Sequence, residues 1–132
     1  IIICNRNIND TFFSIFKNNF TSAEMRWAFD AKNISEYIKL YYEITNFFKS
    51  LYGDAIFNLD YENLINNSNN EIRNLIKFCG LSWDVNCLSP HKNYKSSIST
   101  ASSFQARKPI YNTSIKTSNL YDKYLNKYFN NN

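Results

Sequence analysis

Glycine and proline are almost missing from this sequence: its 132 residues hold 2 of each. So little turn chemistry argues against a turn-rich all-β protein and against a linker. Cysteine is sparse too. Cys4, Cys79 and Cys87 are odd in number and none stands at CxxC spacing. They read as free thiols, which gives a reducing, cytoplasmic compartment as the expectation. The lone His91 does not complete a zinc site with them, so no metal is expected. No stretch approaches the roughly 18 apolar residues of a membrane helix. Ile1-Ile2-Ile3-Cys4 is too short for a signal-peptide core, and no basic segment stands before it. The net charge of +4 suits an anionic ligand, but the excess is too small and scattered for a nucleic-acid surface.

Apolar residues, in contrast, make up 44% of the chain and aromatics 17%, with 11 Phe and 10 Tyr. That is material for the core of one domain, and the length allows one and not two. The asparagine runs look like coding bias and carry no functional weight. No internal repeat is visible.

Two short apolar runs read as strands. Ile1-Ile2-Ile3-Cys4 is continuous, as in strands buried on both faces of a parallel sheet. The other, Ala55-Ile56-Phe57-Asn58-Leu59, follows Gly53-Asp54. The sequence between them is strongly helical, and a β-α-α-β order favours a parallel pair with a right-handed crossover. The fold class is therefore α/β, a partial parallel sheet flanked by helices. Two strands cannot cover both their faces and edges, so the rest of the sheet is expected upstream of Ile1. Left open, that edge would be an aggregation hazard.

Helical periodicity is plain elsewhere. Phe12, Phe13, Phe16 and Phe20 mark one face of a helix beginning near Asp10, whose charge suits the helix dipole. Thr21-Ser22-Ala23-Glu24 has capping-box spacing, and Asn33-Ile34-Ser35-Glu36 resembles one with Asn33 as cap. The latter opens a helix with Ile34, Tyr37, Ile38, Tyr41, Ile44, Phe48, Leu51 and Tyr52 inward, ended by Gly53. Short helices are predicted over 61–66 and 70–79, the second closed by Gly80. Residues 84–112 show no period, and irregular segments of that length are usually functional or disordered. A last helix is predicted from about Thr117, with Leu120, Tyr121, Tyr124, Leu125 and Tyr128 inward.

Four features carry candidate chemistry. Arg6 follows the first strand, and Ser14 follows Arg6 by eight residues. A strand end facing a helix N-terminus is where α/β folds bind ligands, and arginine gives phosphate charge-assisted hydrogen bonds. An arginine there also suits a surface ion pair. Asp60-Tyr61-Glu62 ends the second strand, where a tyrosine reaches a purine or ribose, or simply caps the core. Glu71 to Leu81 reads as an amphipathic packing helix. Finally, Thr100-Ala101-Ser102-Ser103-Phe104-Gln105-Ala106-Arg107-Lys108-Pro109-Ile110-Tyr111 clusters hydroxyls, an amide and two cations, an inventory that grips phosphate.

In this order and spacing the four features resemble the C-terminal half of sulfotransferases, especially the bacterial group fused to tetratricopeptide repeats, and are similar to protein-tyrosine sulfotransferases. The resemblance covers nearly all of 1–132 and implies the C-terminal part of one sulfotransferase domain with a P-loop-like sheet. It implies 3'-phosphoadenosine 5'-phosphosulfate (PAPS) as co-substrate, no metal, and sulfuryl transfer to a hydroxyl or amine of a glycan, a protein tyrosine or a small alcohol. Arg6 and Ser14 match the family's 3'-phosphate motif, and Asp10 its acidic position. Ile8 replaces the usual proline of that motif. Tyr61 matches the tyrosine near the adenine. Ser102 and Gln105, with Arg107 or Lys108, match the late loop over the nucleotide. Thr117 and Ser118 stand where a basic residue and a Trp are common, with Lys116 as the substitute cation. The glycine- and serine-rich phosphosulfate loop and the catalytic base are expected upstream, so no catalytic residue is assigned here and the 132 residues alone are expected to be inactive. The competing readings are a non-catalytic nucleotide-binding or interaction module on the same fold, and a P-loop kinase, which would need a GxxxxGK[ST] loop.

Overall fold

The computed structural model describes residues 1–92 and 107–129. Strand β1 (Ile2–Asn5) and strand β2 (Phe57–Asp60) pair in parallel, with Ile2 opposite Phe57 and Asn5 opposite Asp60. Between them run helix α1 (Ile8–Lys17), a 3-10 segment (Ala23–Phe29) and helix α2 (Ala31–Tyr52). Helices α3 (Tyr61–Asn66) and α4 (Ser68–Phe78) follow β2, and a short helix α5 (Asp122–Leu125) lies near the C-terminus between 3-10 turns. The α/β class and the parallel pair expected from the sequence are those observed, with a small two-stranded sheet among the described residues.

Local chemistry explains the helix ends. The Asn7 side chain caps α1 by accepting from the Asp10 amide at 3.0 Å, so the helix starts two residues earlier than the phenylalanine spacing suggested. Asp30, not Asn33, caps α2, its carboxylate accepting from the Asn33 amide at 2.8 Å. The Ser22 hydroxyl bonds the Glu24 carboxylate rather than a backbone amide, and a 3-10 segment forms there instead of an α-helix. Gly80, at φ 68°, closes α4 as a Schellman turn: Gly80 N–H donates to Lys77 O and Leu81 N–H to Ile76 O.

The main core lies where α1, α2 and α5 meet. Phe12, Ile34, Ile38 and Leu125 are buried together, and Phe12 stacks on Tyr128 with an edge contact from Phe129. A smaller contact joins β2 to α4 through Phe57 and Phe78. Several residues expected inward are exposed. On α1, Phe16 is half exposed; on the C-terminal elements, Leu120 is 85% exposed, and Tyr121 and Tyr124 are also open. On α2, Tyr37, Tyr41, Ile44, Phe48, Leu51 and Tyr52 are exposed. The physical reason is partial cover: α1 and the 3-10 segment pack on α2 along a narrow stripe that buries Ile34, Ser35, Ile38 and Thr45, and the apolar side chains beside that stripe stay open.

The strands are likewise not buried on both faces. Registered residues of a parallel ladder project to the same side, so Ile2, Cys4, Phe57 and Leu59 share one face. Phe57 meets α4 there and Leu59 is buried, while Ile2 and Cys4 stay exposed; on the other face Ile3 is buried. Among the described residues no helix is long and apolar enough to cross a membrane.

Because Phe12 joins α1, α2 and the C-terminal turns, Phe12→Ala should cost about 3–5 kcal/mol of unfolding free energy. Leu120→Ala, at an exposed position, should stay within about 0.5 kcal/mol. Urea denaturation followed by circular dichroism reads both.

Candidate functional site

The parallel register brings two strand ends together. Asn5 and Asp60 are opposite each other, so the next residues, Arg6 and Tyr61, leave the sheet side by side. The Arg6 guanidinium lies over the Tyr61 ring, 5.1 Å from its centroid. Its Nη2 donates to the Ser114 carbonyl at 2.6 Å, and its own backbone carbonyl accepts from the Tyr42 hydroxyl at 3.4 Å. The Arg6 Nε is buried and has no hydrogen-bond partner among the described residues. A buried N–H on a charged group left unpaired is costly, which marks the position as one built for an acceptor.

An open cavity of about 540 Å³ surrounds this arginine. Arg6, Ser14, Tyr61 and Lys108 all line it, so four of the residues singled out from the sequence share one space. Arg107 is exposed and outside the lining. Ser102 and Gln105 lie outside the described residues. Lys17, Asn18, Thr113, Ser114 and Thr117 also line the cavity. The sequence reading passed over most of these. Lys17 was findable, because it stands three residues after Ser14 on the same helix face. Ser114 was not, because it acts through a carbonyl that any residue would supply. Among the described residues the lining holds three cations, Arg6, Lys17 and Lys108, and no carboxylate. A cavity of one charge sign with partly apolar walls concentrates anions.

Asp10, read from the sequence as a dipole-compensating acid, is 1% exposed and has a different role. Its carboxylate accepts from the Lys116 amide at 2.7 Å, the Ser118 amide at 2.8 Å and the Thr117 hydroxyl at 3.2 Å. Lys116 reaches this geometry at φ 59°, in the left-handed region. Nearby, the Asn9 side chain donates to Asp122 and Asn126, both at 3.0 Å. The first turn of α1 is thereby bound to the C-terminal segment. Lys116 contributes its amide to Asp10.

Burial pushes the Asp10 carboxyl up, but hydrogen bonds from the Ser118 and Lys116 amides and the Ser118 and Thr117 hydroxyls outweigh it. The group sits below its usual value of 3.8. A depressed folded-state pKa gives stability that is present above the unfolded value and lost as pH falls through the folded one. Unfolding midpoints should therefore drop on acidification below about pH 4. Asp10→Asn should reduce that dependence while lowering stability at neutral pH by about 2–3 kcal/mol; denaturation at several pH values checks both. Among the described residues no cluster of His, Cys, Asp or Glu could hold a metal ion.

Comparison with known proteins bears on this arrangement. No solved structure matches the chain. A protein of Aquifex aeolicus (strain VF5), described as "Uncharacterized protein", is 33% identical over 127 residues. The similarity takes in 95% of this chain and 17% of that protein, so the chain spans a small part of its relative's length. The profile of the Sulfotransferase family matches residues 1–85, which include β1, β2, Arg6, Ser14 and Tyr61. With the family's profile covering more than half of its length, this chain belongs to the sulfotransferase family.

Proposed function

We propose that this chain forms the 3'-phosphate and adenine side of a donor site for PAPS in a sulfotransferase. The observation that carries the reading is the Arg6 environment: a partly buried guanidinium whose Nε has no partner among the described residues, set in a cavity whose described lining holds cations and no carboxylate. Arg6 and Lys108 supply positive charge, and the Ser14 hydroxyl lies on the same wall. Together they suit a phosphate dianion. Ser114 and Tyr61 hold the guanidinium from two sides, so little side-chain entropy is left to lose on binding. In this reading Lys108 is the late cation at the nucleotide in place of Arg107, and Ser102 and Gln105 take the part that the family resemblance implies for them. The cavity volume falls within the range of small-molecule sites.

The donor, when bound, supplies a sulfuryl group that passes to an acceptor hydroxyl or amine and leaves adenosine 3',5'-bisphosphate. The residues assigned here hold the nucleotide and are not given the transfer itself. Both glycines, Gly53 and Gly80, are at helix ends, so these 132 residues offer no glycine-rich loop for the phosphosulfate. The chain by itself is thus expected to bind the nucleotide without turning it over.

Calorimetric titration of the chain with adenosine 3',5'-bisphosphate tests this. Binding should weaken as salt rises. Arg6→Ala should weaken it by about 10- to 150-fold, the equivalent of one charged hydrogen-bonding group. Adenosine without phosphates should bind far less well. Equal affinity in wild type and Arg6→Ala would leave the non-catalytic interaction module as the better account.

A further inference from the structure

The residue that binds Arg6, Ser114, is two positions from the residues that bind Asp10. Along one short stretch, the Ser114 carbonyl accepts from Arg6 while Lys116, Thr117 and Ser118 donate to Asp10. Arg6 and Asp10 themselves flank the capped start of α1, with Asn7 fixing the turn between them. The stretch is thus fastened at two points four residues apart on the other side. Its carbonyl meets a guanidinium and its amides meet a carboxylate. Thr113, Ser114 and Thr117 belong to the wall of the cavity, and Asp10 does not.

We infer that Asp10 is a positioning residue for the anion site: without meeting the ligand, it holds 114–118 against α1 so that the Ser114 carbonyl fixes the Arg6 guanidinium facing the cavity. The geometry is directional. A carboxylate only accepts, and the groups facing it at 116, 117 and 118 are donors. An asparagine would turn its amide toward at least one of them. The carboxylate is nearly inaccessible, so water cannot take over the bonds it releases. With the tie gone, the Ser114 carbonyl is free to move from Arg6, whose guanidinium then samples several rotamers. The ligand must order them again on binding, which lowers affinity.

The inference rests on the proposed nucleotide reading for its ligand, and the test separates the two. Bisphosphate affinity is measured by calorimetry for the wild-type chain, Asp10→Asn, Arg6→Lys and the double variant. Asp10→Asn should weaken binding about tenfold in the wild-type background and by less than about twofold in the Arg6→Lys background, because a shorter ammonium no longer depends on the Ser114 carbonyl. Equal losses in both backgrounds, or wild-type affinity in an Asp10→Asn protein whose 116 and 118 amides exchange freely, would overturn the inference. A second readout needs no ligand. In nuclear magnetic resonance spectra the wild-type Arg6 guanidinium should rotate slowly about its Cζ–N bonds, and Asp10→Asn should free it. Unchanged rotation counts against positioning by Asp10. If wild type fails to bind the bisphosphate while Asp10→Asn still frees Arg6, the nucleotide reading fails and the positioning role stands. Should Asp10→Asn not fold, Thr117→Val, which removes a side-chain hydroxyl that donates to Asp10 and keeps the carboxylate, should speed the rotation in smaller measure; no change would again count against it.

Discussion

The parallel register of β1 and β2 is the constraint from which the site follows. Pairing Asn5 with Asp60 makes Arg6 and Tyr61 emerge at the same end of the sheet, one at the turn into α1 and the other at the first residue of α3. A slip of one residue would reverse the facing of every side chain in one strand. It would take Ile3 or Leu59 out of the interior and separate the guanidinium from the aromatic ring. The Glu62 carboxylate, which accepts from the Asn7 amide at 3.0 Å, also joins the two strand exits. Two tyrosines of α2 add to this, with the hydroxyls of Tyr41 and Tyr42 donating to the carbonyls of Cys4 and Arg6. Both phenols are pushed above their ordinary value, first by burial.

The second organising element is a long-range closure. Asp10 and Arg6 reach segment 114–118 across more than a hundred residues of sequence. Phe12, on the same helix, meets Tyr128 and Phe129. Helix α1 therefore faces two ways. One side carries the core, and its N-terminal turn carries the polar tie that shapes the cavity wall. A buried carboxylate is expensive unless donors surround it. Here backbone amides, a hydroxyl and the positive end of α1 all serve, so the tie is satisfied without a buried cation.

Membership of the sulfotransferase family and the cavity's charge are consistent with each other but come from different observations. The family rests on sequence similarity over 1–85, whereas Lys108, Thr113, Ser114 and Thr117 stand beyond that match and reach the cavity only through folding. The site is thus assembled from an N-terminal strand-helix unit and a C-terminal wall.

Much of this was legible beforehand. The apolar runs at 1–4 and 55–59, the period of α2 and the glycine at 80 specify a strand, a helix and a stop, because each depends on neighbours within a few residues. The spacing of Arg6 and Ser14 placed both near one strand end for the same reason. Helix starts were misjudged where two capping residues competed, as with Asp30 and Asn33, since the choice depends on which turn packs. Burial was overestimated along α2, because periodicity says which side chains share a face and not how much of that face another element covers. The role of Asp10 and the part played by Ser114 were decided by tertiary structure alone. One is a carboxylate whose donors are backbone amides, the other a carbonyl, and neither leaves a pattern of residue types for a sequence to show.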